Sequence, residues 1–316
     1  MTAPSASASR ATSHSRAIGI VRALIVLPVA LVLTDAVAFH LANRSSGTLV
    51  SSGKARAYLV HVPPQYTHAT PTPLVIRMHG AGGWPAQQRD LSGWNRVADA
   101  HGFIVVYPSG AEGEGPRIWH IERGAALDAD VRFIRELIDT LRASYNIDST
   151  RIFANGLSAG GGMSFALSCT LADRIAAVGM VAPALVLPWS WCTDRHAIPV
   201  IVIHGTADPV TPYHGGKTRI SPRSFPDIPA WTASWARRNR CGATPQEVVV
   251  APDVTRFEYA NCADAAAVVL YRVQGGGHAW PGGHPLPEWL VGPTSQSVDA
   301  TAMTWAFFER HPLVKR

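Results

Sequence analysis

The chain has 316 residues, of which 47% are hydrophobic and 16% are charged, and its formal net charge at pH 7 is +6. This length and composition indicate a compact globular protein, built as one large domain or two small ones, and argue against a disordered chain. The basic residues are scattered and form no block or stripe, so the composition gives little support to a nucleic-acid-binding role.

Residues 1–38 have the layout of a secretory signal peptide. Three arginines precede the apolar run at residues 23–33, which is short for a membrane span and contains Pro28. The small-x-small sequence at residues 36–38 predicts cleavage after Ala38, and therefore secretion. Because apolar residues resume at Phe39, an uncleaved N-terminal anchor is the alternative, and only in that case do we expect a membrane as a partner.

Apolar runs and amphipathic stretches alternate along the chain from residue 58 onward. Residues 58–62 predict a strand closed by a turn, and residues 91–101 and 130–145 have the spacing of amphipathic helices. Apolar runs predict further strands at residues 74–78, 103–107, 151–154, 175–181, 198–203 and 268–273. Nearly continuous apolar strands that alternate with helices predict an α/β fold, with a mainly parallel central sheet and helices on both faces.

The segment at residues 151–163 reads RIFANGLSAGGGM and carries the strongest functional signal. Its residues 156–160 match the G-x-S-x-G nucleophile elbow, and they lie between a predicted strand and a predicted helix, as that motif requires. The flanking glycines allow the strand and the helix to approach closely, while the serine hydroxyl is exposed at the tip of the turn. Ser158 is therefore predicted to be a catalytic nucleophile.

A glycine-rich loop follows the strand at residues 74–78 and reads HGAGG. Glycines directly after a buried strand let backbone N–H groups point into a cavity, which an oxyanion hole needs. We predict that the N–H groups of Ala159 and Ala81 form this hole. His79, at the end of the strand, is predicted to brace the loop rather than to act in catalysis.

A serine nucleophile needs a base to take its proton and an acid to orient the base. In α/β-hydrolases the three residues follow the chain order Ser, Asp or Glu, then His. Asp208 lies in a loop just beyond a strand, where an Asp-Pro turn is the alternative interpretation. His278 lies in the glycine-rich loop after a late strand. We predict that Asp208 is the acid, that His278 is the base and that His204 supports Asp208.

Two further features concern the cleft and the covalent framework. Trp119 lies in a loop-like stretch at residues 112–124 that contains three glycines, and it either lines a substrate cleft or caps the core. The four cysteines lie at 169, 192, 241 and 262, and none is in a C-x-x-C pair. Of the three possible pairings we favour Cys169–Cys192 and Cys241–Cys262, since each closes a short loop.

Five segments taken together and in order carry a family resemblance: MHGAGG, ADAHGFIVVYPSG, YNIDSTRIFANGLSAGGGM, VIHGTADPVTPYHGG and GGGHAWPGG. Their combination closely resembles the secreted polyhydroxybutyrate depolymerase and feruloyl or acetyl-xylan esterase group, the LpqC-like branch of α/β-hydrolases. The resemblance covers a single catalytic domain at residues 48–312. It implies the roles predicted above for Ser158, Asp208 and His278, makes Trp280 a neighbour of the substrate pocket, and agrees with the presence of disulfides.

The resemblance and the residues together predict a secreted serine carboxylesterase. The substrate expected first is a hydroxyalkanoate ester, as an oligomer or a polymer, and the alternative is a feruloyl or acetyl-xylan ester. Trp119 and Trp280 could stack on either kind of acyl group. An acyltransferase and a non-catalytic binding protein on the same fold are the remaining alternatives. No metal or organic cofactor is expected, because the nucleophile, the base and the oxyanion donors are all protein groups.

Overall fold

A computed structural model describes residues 45–111, 117–194, 196–218 and 223–314, and the predicted signal peptide lies outside these residues. The strands are β1 Gly47–Ser51, β2 Lys54–His61, β3 Thr72–Met78, β4 Ile104–Pro108, β5 Ile147–Leu157, β6 Ala177–Val181, β7 Val200–Gly205, β8 His214–Gly216, β9 Phe225–Asp227, β10 Gln246–Ala251, β11 Val254–Tyr259 and β12 Val268–Val273. Ten of them form one sheet in the order β1-β2-β4-β3-β5-β6-β7-β12-β11-β10, while β8 and β9 pair separately.

The centre of the sheet is parallel and its edges are antiparallel. Parallel pairing joins each neighbouring pair from β4 to β12. Antiparallel pairing adds β2 and β1 at one edge, and β11 and β10 at the other. Every residue of β3, β4, β6 and β7 is buried, which is why these strands read as continuous apolar runs. The predicted fold class, a mainly parallel sheet between two helical layers, is confirmed.

Seven α-helices in the described residues cover the sheet. They are α1 Pro85–Ser92, α2 Trp94–His101, α3 Ala125–Ser144, α4 Ala159–Thr170, α5 Ile228–Arg238, α6 Glu288–Val291 and α7 Ala300–Phe308. Helices α3, α4 and α5 pack in one apolar core with alternate side chains of β3, such as Leu74 and Ile76. Helices α1, α2 and α7 pack in a second core, on the opposite side chains of the same strands, such as Val75. None of the helices in the described ranges combines the length and the hydrophobicity needed to cross a bilayer.

The structure differs from the sequence prediction in several elements. The stretch at residues 91–101 is not one helix, because Gly93 adopts a left-handed φ of 66° that ends α1 and starts α2. The β10–β11 hairpin and helix α7 were not predicted from the sequence. Strand β10 reads QEVVVA, and its short apolar run was not assigned to a strand; most of its residues, Val249 and Val250 among them, are exposed at this edge of the sheet.

Both disulfides join cysteines that are neighbours in the sequence. Cys169, in α4, is bonded to Cys192, and Cys241, beyond α5, is bonded to Cys262. This is the pairing that short-loop closure favours. The first bridge fixes the end of the helix that follows Ser158, and the second ties the segment after α5 to the segment after β11.

Candidate active site

Ser158 lies at a sharp turn between β5 and α4. Its backbone has φ 56° and ψ −118°, which is unusual for a residue other than glycine and costs roughly 1–3 kcal/mol unless the surroundings enforce it. The surroundings do so: its N–H donates to Val181 O at 3.0 Å, and its carbonyl accepts from Gly162 and Ala184 at 3.0 and 2.9 Å. The strained turn is therefore held from both sides.

The glycines around Ser158 are required by close packing. A Cβ atom on Gly156 would lie 2.0 Å from the carbonyl carbon of Gly160. One on Gly160 would lie 2.5 Å from the carbonyl oxygen of Met78, at the end of β3. Helix α4 can thus begin directly above the sheet only because these side chains are absent, which is the local reason for the G-x-S-x-G pattern.

Asp208 and His278 meet at the carboxyl edge of the sheet. Asp208 follows β7 and His278 follows β12, and these strands are parallel neighbours, so their two loops are adjacent. The loops contact each other closely, since the N–H of Ala207 donates to Gly276 O at 2.9 Å. His278 Nδ1 lies 2.8 Å from Asp208 Oδ2, and both residues are buried. Ser158 follows β5, another strand of the parallel centre, and so lies at the same edge.

The Asp208 carboxylate is held in one orientation by its neighbours. Oδ1 accepts hydrogen bonds from the N–H groups of Val210 and Thr211, both at 2.8 Å, and Oδ2 accepts one from the Thr211 hydroxyl at 2.9 Å. His204 Nε2 lies 2.7 Å from Thr211 O and 3.2 Å from Oδ2. Burial alone would raise the pKa of Asp208, but the hydrogen bonds from His204 and His278 outweigh it and lower the pKa well below its usual range.

The loop after β3 is fixed by His79. The Nδ1–H of His79 donates to Gly80 O at 2.7 Å, and its Nε2 accepts from the N–H of Gly110 at 2.9 Å. Burial lowers the pKa of His79 to about 4, so the imidazole is neutral at pH 7, which these two bonds require. Both ring nitrogens are used in bracing the loop, and Ala81 on that loop lines the same cavity as Ala159 and Ser158.

A cleft of about 500 Å³ opens at Ser158. Apolar side chains form much of its wall: Ile118, Trp119, Ile121, Ala184, Val210 and Phe225. Glu122 and Arg223, which form an ion pair, and His120 add polar groups to the wall. The cleft has the size of a small-molecule site.

The two predicted tryptophans occupy different places. Trp119 contributes to the cleft wall, although it is almost fully buried and packs between His79 and Phe133. Trp280 is not among the cleft residues, and only 1% of it is exposed. Its indole N–H donates to Thr301 Oγ1 at 2.9 Å, and the guanidinium carbon of Arg77 lies 3.9 Å from its ring centroid. The ring packs in the core, so the structure gives no support to the predicted pocket role of Trp280.

Thr211 is a site residue that the sequence reasoning missed. Its N–H and its hydroxyl both bond the Asp208 carboxylate, and it lines the cleft. An aspartate that accepts hydrogen bonds from N–H groups two and three residues later forms an Asx-type turn, which is common in D-P sequences. The sequence Asp-Pro-Val-Thr could therefore have indicated both the turn and the carboxylate's orientation.

Comparison with known proteins gives one family match and several relatives. Residues 56–235 match the family model described as Esterase PHB depolymerase. The chain is 33% identical over 278 residues to "Putative esterase NocK" of Nocardia uniformis subsp. tsuyamanensis, covering 81% of this chain and 80% of that protein. It is 30% identical to Feruloyl esterase B of Piromyces equi, over 71% of this chain and 42% of that protein. It is 28% identical to Feruloyl esterase D of Neurospora crassa, over 85% of this chain and 87% of that protein.

Two solved structures share the architecture. An acetyl xylan esterase from Aspergillus awamori superposes with a TM-score of 0.58 at 14% identity, over 84% of this chain and 98% of that one. An S-formylglutathione hydrolase from Agrobacterium tumefaciens superposes with a TM-score of 0.54 at 14% identity, over 84% of this chain and 94% of that one. At this identity the superpositions show a common fold, the α/β-hydrolase fold.

Proposed function

Because this chain belongs to the Esterase PHB depolymerase family of α/β-hydrolases and is a carboxylesterase, we propose that it is a secreted enzyme that hydrolyses hydroxyalkanoate esters with Ser158 as nucleophile. The observation that carries the proposal is the bond of 2.8 Å between His278 and Asp208, at the same sheet edge as the strained turn of Ser158. A nucleophile, a base and an acid on three separate loops are what acyl transfer by serine requires.

In the proposed mechanism, Ser158 Oγ attacks the ester carbonyl carbon while His278 Nε2 takes its proton. Asp208 accepts the Nδ1–H bond of His278, which fixes the tautomer with a free Nε2 and stabilises the imidazolium that forms. The N–H groups of Ala159 and Ala81 bind the developing oxyanion. The imidazolium then protonates the leaving alcohol, and a water molecule, deprotonated by His278, releases the acid from the acyl-enzyme.

The electrostatics of the Asp208 loop support this mechanism. Its hydrogen bonds keep the carboxylate ionised across the neutral range, since its pKa lies well below the usual value. A negative charge beside Nδ1 stabilises the protonated His278 of the intermediate state. The backbone N–H groups of Val210 and Thr211 hold the carboxylate in place, so this stabilisation needs no rearrangement during the reaction.

The apolar side chains of the cleft wall favour substrates whose acyl groups are largely apolar. The family description favours hydroxyalkanoate oligomers or polymer among such substrates. Hydroxycinnamoyl esters are the second candidate. Trp119 and Phe225 supply aromatic surface in the cleft, and relatives of this chain are named feruloyl esterases. Secretion is supported by the two disulfides, which persist in oxidising compartments.

The test is hydrolysis of a substrate panel by the purified protein and by Ser158→Ala. The panel contains p-nitrophenyl acetate and butyrate, hydroxybutyrate oligomers, methyl ferulate and acetylated xylan. We expect the variant to lose at least about a thousandfold in kcat on every substrate that the protein hydrolyses. A folded variant that stays as active as the parent would refute the proposed mechanism. Sequencing the N-terminus of exported protein, expected at Phe39, tests secretion.

A further inference from the structure

A second histidine bonded to a carboxylate lines the cleft that contains Ser158. His120 Nδ1 lies 2.9 Å from Oδ2 of Asp130, and the backbone N–H of His120 donates to the same oxygen, also at 2.9 Å. The residue is therefore fixed through both its backbone and its ring. The proposed mechanism assigns no role to this pair.

Asp130 is a rigid anchor for the imidazole. Its side chain is 1% exposed, and its other oxygen accepts from Arg56 Nη1 at 2.8 Å. Arg56 is held in turn by Ser109 O at 3.1 Å and by the face of Phe133, whose ring centroid is 4.1 Å from the guanidinium carbon. Arg56 pairs with one oxygen of Asp130, and the other oxygen is placed to accept a hydrogen bond from the Nδ1–H of His120.

In the tautomer that donates to Asp130 through Nδ1, His120 keeps Nε2 as an acceptor on a side chain that lines the cleft. A neutral imidazole that donates through Nδ1 has its lone pair on Nε2. The His120 side chain is 35% exposed, and no partner for Nε2 lies within the parts of the chain that the structure describes. Ile118, Trp119 and Ile121 beside it offer apolar surface to the cleft. A bound molecule placed against this wall satisfies Nε2 only if it carries a donor, such as a hydroxyl group.

We propose that His120 is a specificity-determining residue whose Nε2 accepts a hydrogen bond from a hydroxyl group on the acyl part of the substrate. The inference rests on the proposed function, because it concerns the same cleft. Two substrate classes share this chemistry: hydroxyalkanoates, through an aliphatic 3-hydroxyl, and hydroxycinnamates, through a phenolic hydroxyl. A hydroxyl-free acyl group leaves the acceptor unsatisfied and is discriminated against.

The test compares pairs of substrates that differ by one donor. One pair is p-nitrophenyl 3-hydroxybutyrate with p-nitrophenyl butyrate, and the other is methyl ferulate with methyl 3,4-dimethoxycinnamate. One uncharged hydrogen bond predicts a preference of about threefold to tenfold in kcat/KM for the hydroxylated member. The difference should lie in KM, since the bond forms equally in the ground and transition states. The pair that shows the preference identifies the substrate class.

Three variants of the full-length protein complete the experiment. His120→Phe keeps a ring of similar size but removes the acceptor, so the preference should disappear. His120→Gln supplies an amide oxygen and should restore part of it, which a merely structural role for the ring would not explain. His284→Phe is the matched control, because His284 is exposed and lies outside the cleft residues, and it should keep the full preference. If His120→Phe does not fold, His120→Ala provides the same comparison.

Two results overturn the inference: equal kcat/KM within both pairs for the unaltered protein, or a preference that persists in the folded His120→Phe variant. Neither depends on the identity of the nucleophile, which Ser158→Ala tests separately on p-nitrophenyl acetate. If Ser158→Ala loses acetate hydrolysis and the unaltered protein shows no preference for hydroxylated substrates, the proposed mechanism stands and the proposed role of His120 is refuted. Activity that survives in Ser158→Ala removes the proposed mechanism itself.

Discussion

Asp208→Asn isolates the function of the acid because it changes the charge and one hydrogen-bonding group with almost no change in shape. The N–H groups of Val210 and Thr211 point at Oδ1 from 2.8 Å, and they cannot turn away without moving the loop. The single amide oxygen of asparagine must therefore take this position. Its NH2 group then replaces Oδ2 and faces His278 Nδ1, which lies 2.8 Å away.

The expected magnitude follows from the tautomer of His278. An NH2 group opposite Nδ1 requires that nitrogen to accept, so the ring proton moves to Nε2, and Nε2 can no longer take the proton of Ser158. Wrong-tautomer substitutions of this type in serine proteases cost about 10⁴ in kcat, or about 5 kcal/mol. We expect a loss of that order with little change in KM, since Asp208 is not among the residues that line the cleft.

The assay is steady-state hydrolysis of p-nitrophenyl butyrate at pH 7.5, with thermal unfolding of each variant to establish that it is folded. Asp173→Asn is the matched control, because Asp173 is exposed on the surface, and it should leave kcat unchanged. A folded Asp208→Asn variant that loses less than a hundredfold in kcat would show that the carboxylate does not set the tautomer of His278. The catalytic role assigned to Asp208 would then be refuted.

Three further predictions concern stability. Gly160→Ala places a methyl group 2.7 Å from the carbonyl oxygen of His79 and should lower the unfolding free energy by about 1–3 kcal/mol. Gly242→Ala is the control and should leave the unfolding free energy unchanged, because its methyl group would lie 3.5 Å from its nearest neighbour, the carbonyl oxygen of Ala260. Equal melting temperatures for the two variants would contradict the packing argument. His79 has a folded pKa of about 4 against 6.5 in a model peptide, so the unfolded state binds its proton first as the pH falls. The unfolding free energy, measured by urea titration, should therefore decrease from pH 6.5 toward pH 4 by up to about 3 kcal/mol. In His79→Gln the unfolding free energy should depend less steeply on pH. An identical pH dependence in both proteins would exclude His79 as the source. Replacing Cys169 and Cys192 by serine opens a loop whose ends are 23 residues apart and should lower the unfolding free energy by about 3 kcal/mol. A urea unfolding midpoint equal to that of the unaltered protein would contradict this prediction.

The parts of the fold and site that could be predicted from the sequence are those with a local signal. The buried strands of the parallel centre are continuous apolar runs, and Ser158, Asp208 and His278 each follow such a strand in the chain order of α/β-hydrolases. Because parallel strands end at the same edge of a sheet, the order of motifs was enough to place their loops together. The catalytic roles of these residues stay predictions until the variants are measured.

The parts that could not be predicted depend on contacts between distant segments or on weak patterns. Strand β10 contains a run of only four apolar residues, and two of them, Val249 and Val250, are exposed, so the run does not mark a buried strand. The bond between His120 and Asp130 joins a loop to a helix, and neither residue belongs to a motif. Trp280 follows His278 by two residues, which suggested a pocket role, but the side chain turns into the core, against Arg77. Side-chain direction in a loop cannot be deduced from sequence position alone.

The consecutive pairing of the cysteines has a consequence for how the chain matures. Each cysteine is joined to the next one along the chain, with separations of 23 and 21 residues, so both partners of the first bridge precede the third cysteine in the sequence. In an oxidising compartment that receives the chain N-terminus first, oxidation in order of emergence gives the native bonds directly. Scrambled isomers can arise only when all four thiols are present together, as they are when the reduced, unfolded protein is oxidised in vitro. Such refolding should therefore depend on a thiol–disulfide buffer, while vectorial delivery should not.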